Sequence, residues 1–261
     1  MNSNRNNNSQ RGQYFFVVRE LVSRELKRKY SRSKLGVLWS VLNPLLSMAV
    51  ISMIFSAIFN RSIENFPIYY LTGYICWNLF TTASNTAMTS LVDNKVLLLQ
   101  VKLPKVIFPI ARVYTAFVNF LYSLIAYVIM LIVFQVKPDF HMVLFPVIIA
   151  LLVVFTMGVS YILTIAFAFF GDIQHLYSVL LTLWMYLSAL FYPVDVLPNV
   201  VQRIILENPI YNYVASAREC MMYGSFPTID QWIRMVVWAA AVYGIGWLCF
   251  KTKQDKIIQK I

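Results

Sequence analysis

Apolar residues crowd into six long stretches, from about Leu35 to Phe59, Pro67 to Val92, Val106 to Val136, Met142 to Phe170, Ile173 to Tyr192 and Trp232 to Phe250. Each meets the ~20 residues that a helix needs to cross a ~30 Å hydrocarbon layer. A spanning sheet would break into alternating segments of about ten residues, and these runs are continuous. The pattern therefore predicts six transmembrane helices. Ahead of them, Tyr14, Val18, Leu21, Val22, Leu26 and Tyr30 recur at helical spacing, while Arg19, Ser23, Arg24, Lys27, Arg28 and Ser31 fill the rest of the wheel. This predicts an amphipathic helix over residues 14–34, lying in the membrane interface. Residues 1–13, MNSNRNNNSQRGQ, have no apolar centre and are expected to form a loose polar tail, not a cleavable signal.

Composition agrees: 59% of the 261 residues are hydrophobic and 13% charged, more apolar surface than one soluble core can hide. The chain reads as a single integral membrane unit. Lys and Arg concentrate on cytoplasmic faces. With the N-terminus inside, seventeen fall on that side (nine before the first span, four from Lys95 to Arg112, four after the sixth), against Arg61, Lys137, Arg203, Arg218 and Arg234 outside. Acidic residues divide almost evenly, so topology accounts for the net charge of +11 without a nucleic-acid partner. Anionic membrane lipids are the expected partner of the basic helix face. Cys76, Cys220 and Cys249 show neither disulfide nor metal spacing.

The basic helix has two readings: a device that only fixes orientation, or a cytoplasmic cuff joined rigidly to the first span. In the second, Gly36 permits a tight turn, Trp39 sits at head-group depth, and Asn43-Pro44 breaks the backbone one turn further in.

No GxxxxGK[ST] loop is present, so nucleotide hydrolysis would belong to another subunit and the chain is not expected to be an enzyme. An ion-coupled carrier would normally bury ionisable groups in mid-membrane, yet all eleven acids map to predicted loops or span ends. A site of carbonyls and hydroxyls keeps that class open. Asp172 and His175 stand three apart and can share a helical face, but a chain with two histidines offers a poor metal or acid/base set, and no metal is expected. A separate ATPase would need contact points on the cytoplasmic face. Three segments qualify: the cuff (Glu25, Lys27, Arg28), the loop from Asp93 to Pro104 (Asp93, Asn94, Lys95, Leu98), and the turn at Asp172 and His175. The apolar run Val96 to Leu99 between polar ends predicts a short surface helix, or else a plain connector.

Two aromatic stripes suggest a lined path. Tyr70, Tyr74, Trp77, Thr81, Asn85 and Met88 recur on one face of the second span, and Tyr177, Trp184 and Phe191 repeat every seven residues on the fifth. Flat rings and hydroxyls suit the faces and edges of sugars. Trp77 and Trp184 lie about 15 Å deep, below an interfacial aromatic belt, so lining and core packing remain the two readings. Between the last two spans, residues 193–230 are too apolar for a solvated loop. Val200, Val201, Ile204 and Ile205 share a face, and Asn208 as N-cap with Pro209 at the first helical position starts a second helix. The pair either dips into the outer leaflet or rests on it.

Three motifs carry a resemblance. YSRSKLGVLWSVLNPLL, VKLPKVIFPIARV and ENPIYNYVASAREC resemble, in order and placement, the permease subunits of type-2 ABC exporters, with the closest look to exporters of O-antigen, capsule and teichoic acid polysaccharides. One departure is Gly171-Asp172 where that family often has Arg-Asp. The resemblance implies an all-α integral membrane protein: an interfacial helix, six transmembrane helices and two short re-entrant helices between spans five and six, the latter shaping an outer mouth around Asn208, Pro209, Tyr211 and Arg218. It implies a second copy of the chain across a two-fold axis, and two copies of a separate ABC ATPase that bind ATP and Mg and dock the short helix. It further implies a lipid-linked glycan as cargo, and residence in a bacterial cytoplasmic membrane with both termini inside. A drug, peptide or lipid cargo on the same architecture is the nearest alternative.

Overall fold

The computed structural model describes residues 2–31, 33–59, 63, 65–101 and 103–257, with side chains from Tyr14 onward except at 56, 57, 59 and 257. Of the charges counted above, Arg32, Arg61, Glu64, Lys102 and Lys260 lie outside the described residues, as do the side chains of Arg5 and Arg11. The described residues form helices and no strands. In chain order these are α1 (Asn2–Tyr30), α2 (Trp39–Phe59), α3 (Phe66–Met88), α4 (Ser90–Asp93), α5 (Lys95–Gln100), α6 (Ile107–Val133), α7 (Phe145–Phe169), α8 (Ile173–Tyr186), α9 (Asn199–Glu207), α10 (Pro209–Arg218) and α11 (Ile229–Ile257).

Among the described residues, four helical segments are long and apolar enough to cross a membrane: Gly36–Phe55, Ile107–Val133, Phe140–Phe169 and Ile229–Lys256. Proline sits in the first turn of α3, α7 and α10, where its missing N–H costs nothing. Asn208 caps α10 as its spacing predicts, its side chain accepting from the Ile210 amide at 3.0 Å. The short helix expected after Asp93 is present as α5.

Three expectations are corrected. The N-terminal segment is helical from Asn2, continuous with the packed turns of α1, because extending a formed helix costs far less than nucleating one. Helix α2 runs unbroken through Pro44. Proline leaves the carbonyl four residues back without its donor, and here Ser123 Oγ of α6 donates to the Ser40 carbonyl at 3.0 Å instead. The predicted fifth span stops early: α8 ends at Tyr186, about 21 Å after it starts. Beyond it Ala189 takes a left-handed φ of 46°, which a helix cannot continue.

The main core gathers α3, α6, α7, α10 and α11, with Phe66, Phe80, Tyr127, Phe155 and Tyr213 among its fully buried rings. A second core underlies α1, where Leu21 and Val22 meet Phe108 of α6, Tyr161 of α7 and Phe250 of α11. That is the apolar face predicted for α1. Gly36, at φ +49°, makes the turn that joins α1 to α2.

Helices α7 and α11 cross at a glycine contact. A Cβ on Gly158 would lie 2.5 Å from the Val242 and Tyr243 backbone, and one on Gly246 would strike the Gly158 carbonyl. Small residues allow this approach, from which van der Waals packing gains most in an apolar surrounding. Gly158→Ala is expected to destabilise the solubilised protein by about 1–3 kcal/mol, read as a lower thermal midpoint. Gly244→Ala, whose Cβ meets open space, should not lower it.

Candidate functional site

Polar groups collect at two ends of the bundle. At the basic end, Arg112 projects from α6 and is 7% exposed. Its Nη1 donates to Glu25 Oε2 of α1 at 2.7 Å, and its Nη2 to Asp93 Oδ2 at the end of α4 at 2.8 Å. Arg28 reaches the same Glu25 carboxylate at 3.0 Å, and Thr89 donates to Asp93 at 2.8 Å. Arg24 donates to the buried Asn94 side chain at 2.5 Å, and Asn94 donates to the Ser90 carbonyl at 2.8 Å. A guanidinium buried on an apolar helix demands counter-charge. By drawing one carboxylate from α1 and one from α4, it makes α1, α4, α5 and α6 one body.

The sequence-named contacts divide accordingly. Glu25, Asp93 and Asn94 are held inside this network, whereas Lys27 and Lys95 are exposed and Leu98 packs half-buried in the second core. Val96 and Leu99 of α5 are 67% and 63% exposed, a large apolar share for so short a helix. Asp172 and His175 are exposed at the start of α8, with no side-chain hydrogen bond or ion pair to the network among the described residues. Arg112 itself stood in the sequence only as one of the counted cations. Its signal was legible as the lone charge inside the run Val106 to Val136.

The opposite end is built around Arg218. It is 3% exposed and donates to the carbonyls of Tyr69 (3.1 Å), Ala189 (3.0 Å) and Leu190 (2.9 Å), with its guanidinium 3.4 Å from the Tyr69 ring centroid. Two of these carbonyls, of Ala189 and Leu190, lie in the turn after α8, and the third belongs to the start of α3. Asn208 adds a second clamp: its Nδ2 donates to the Leu187 carbonyl at 2.8 Å, while its Oδ1 accepts from Trp184 Nε1 at 2.8 Å. Pro209 starts α10 beside this clamp, and Tyr211 is half-buried. Outside the spans, the hydrogen bond from His141 holds the Asp139 carboxyl below the usual carboxylate range. Burial pushes the Glu219 carboxyl up, against the bond it accepts from Gln231.

The two aromatic stripes meet inside the chain. Tyr70, Trp77 and Tyr177 are buried, and the Tyr177 hydroxyl donates to Ser84 Oγ at 2.7 Å. Phe80 joins the stripes, its centroid 5.8 Å from Trp77 and 5.2 Å from Trp184. Tyr74, Thr81, Asn85 and Phe191 are half-buried, and Phe191 packs on Phe55 at 5.5 Å.

The family model for the ABC-2 type transporter matches residues 17–222, from α1 to the turn after α10. The chain belongs to the ABC-2 type transporter family. Both polar ends fall within the matched region. Among curated relatives, this ABC-2 chain is 29% identical over 251 residues to the O-antigen export system permease protein RfbA of Myxococcus xanthus, covering 95% of this chain and 96% of that one. It is 23% identical over 247 residues to the polysialic acid transport protein KpsM of Escherichia coli, covering 93% and 95%. It is 29% identical over 203 residues to the capsule polysaccharide export inner-membrane protein CtrC of Neisseria meningitidis serogroup A, covering 74% of each.

Arg112→Gln removes the one buried cation on Glu25, leaving that carboxylate only the exposed Arg28 and Arg24, at an expected cost of about 3 kcal/mol. The measurement is the thermal midpoint of the solubilised chain. Adding Glu25→Gln should restore part of the loss, and a double variant as unstable as the sum of both single ones would remove the pairing.

Proposed function

We propose that the chain is the membrane-spanning permease subunit of an ATP-driven exporter that carries a lipid-linked polysaccharide of O-antigen or capsule type across a bacterial cytoplasmic membrane. The observation that carries this reading is the basic-end body: Arg112 locks α1, α4 and α5 to α6 and leaves Lys95, Val96 and Leu99 exposed. It occurs in a chain similar along 95% of its length to an O-antigen export permease.

In this reading α2, α3, α6, α7, α8 and α11 are the six spans, and the turn after Tyr186 completes the short fifth one. The pair α9 and α10 re-enters from the outer side, held by Arg218 and Asn208. The excess of Lys and Arg around α1, α5 and the end of α11 supports a cytoplasmic position for that end and for both termini. Two copies of the chain enclose the path. The uncovered apolar faces of α2 and α8, with Met53 83%, Leu176 66% and Leu183 61% exposed, are available to lipid and to that second copy.

No residue of this chain cleaves nucleotide. Two copies of a separate ABC ATPase hold ATP and Mg and supply the drive. Their movement reaches the bundle through α5 and α1, since a displacement of either must carry Arg112 and α6 with it. Half-buried Tyr74, Thr81 and Asn85 line the path, while Trp77, Tyr177 and Trp184 hold them in place through packing with Phe80 and Ser84.

Replacing Val96 and Leu99 together with Asp should cut co-purification of the ATPase about tenfold while the chain still inserts; undiminished recovery would detach α5 from this role. Deleting the gene should abolish the surface polysaccharide and trap its lipid-linked precursor inside. An intact surface glycan would refute the cargo, and transport by the isolated chain under an ion gradient would refute the ATP-driven class.

A further inference from the structure

Between the end of α1 and the faces of α2, α3 and α6 lies a cleft that the export reading leaves unassigned. Its wider part, about 400 Å³, opens among Arg28, Lys29, Thr86 and Arg112. A narrower part of about 120 Å³ shares Lys29, Thr82 and Asn119 with it and reaches Asn43 and Asn78. Its walls carry a polar group at every helical turn. Thr86, Thr82 and Asn78 descend α3 as Arg112, Thr115 and Asn119 descend α6. From Arg112 to Asn119 is about 10 Å along the axis. The slot thus takes hydrogen-bonding groups from the basic end into the apolar layer.

Its charge is unbalanced. Arg28, Lys29 and Arg112 line it with Glu25 as the one carboxylate, and that carboxylate is already engaged by Arg112 and Arg28. Lys29 meets no carboxylate among the described residues; its ammonium lies 5.4 Å from the Tyr30 ring centroid. The Asn43 side chain and Asn78 Nδ2 likewise have no hydrogen-bond partner among the described residues, although Asn78 Oδ1 accepts from Thr82 at 3.2 Å. Asn43 is exposed on the membrane-capable helix Gly36–Phe55, where an unmatched amide is costly.

The same face of α2 continues apolar. Leu46 and Val50 follow Asn43 at helical spacing and are 55% and 58% exposed. A cationic, donor-rich slot running into an uncovered apolar track matches a molecule with an anionic head and a hydrocarbon tail. We infer that this cleft binds the phosphate group of a membrane lipid. Lys29 and Arg28 neutralise its charge at the rim, the Asn43 and Asn78 amides donate to its oxygens, and the chain of the lipid lies along Leu46 and Val50. A neutral sugar would gain nothing from the excess of cations. A glycerophospholipid and a polyprenyl phosphate present the same head-group chemistry.

The test is native mass spectrometry of the full chain in detergent, titrated separately with phosphatidylglycerol, a polyprenyl phosphate and phosphate-free diacylglycerol. Phosphate-bearing lipid should be retained and diacylglycerol lost. Lys29→Ala and Asn43→Leu should each weaken retention about fivefold or more, Lys29→Arg should keep it, and Lys253→Ala, outside the cleft, should leave it unchanged. Thermal midpoints equal to the parent's would show that the variants are folded. In competition, displacement of phosphatidylglycerol by the polyprenyl phosphate assigns the site to a carrier lipid, and its failure assigns it to the bilayer; either outcome upholds a phosphate site. Equal retention of diacylglycerol, unchanged binding in both cleft variants, or displacement of lipid by a neutral oligosaccharide would overturn it. The readout is binding, so the inference stands apart from the cargo assigned above.

Discussion

A charge or backbone group withdrawn from water in an apolar bundle must find its partner inside the protein. Three sites in this chain obey that constraint, and together they fix the arrangement of its helices. Arg112 takes Glu25 and Asp93, Arg218 takes three carbonyls, and the Ser40 carbonyl freed by Pro44 takes Ser123. Apolar packing alone would let helices slide against one another. A bidentate guanidinium, whose bonds have fixed directions, does not.

The two arginines act at opposite ends and to different effect. Arg112 gathers surface-lying helices onto α6, so that the basic end behaves as one body bearing an exposed apolar ridge on α5. Lys105 extends it by donating to the Gln254 carbonyl at 2.7 Å, which ties the start of α6 to the end of α11. Arg218 instead stabilises an interruption. By capping the carbonyls after α8 it lets the chain leave a helix part-way and return through α9 and α10 without orphaned backbone groups. One arginine makes a rigid body of several helices, and the other accommodates a break in one of them.

Much of the fold was legible. Apolar run length located the helices, prolines marked three of their starts, and the wheel of α1 named the face that Leu21 and Val22 bury. Asn208 was readable as a cap because its partner lies two residues away. The site was less legible. Glu25 and Asp93 read as exposed contacts because acids near span ends are usually solvated, and only the approach of Arg112 buries Glu25 and engages Asp93, which stays partly exposed. Trp77 and Trp184 read as two separate stripes, since nothing in their spacing shows that Phe80 fits between them.

The sequence by itself determined the class of structure, the helical segments, the asymmetry of charge and the family, because each depends on local spacing and on the solvent that each segment prefers. Tertiary structure alone decided which polar groups pair. Arg112 and Glu25 are 87 positions apart, and Arg218 and Tyr69 are 149 apart. Such partners are set by how helices cross, and crossing depends on the summed shape of many side chains, which no single stretch of sequence contains.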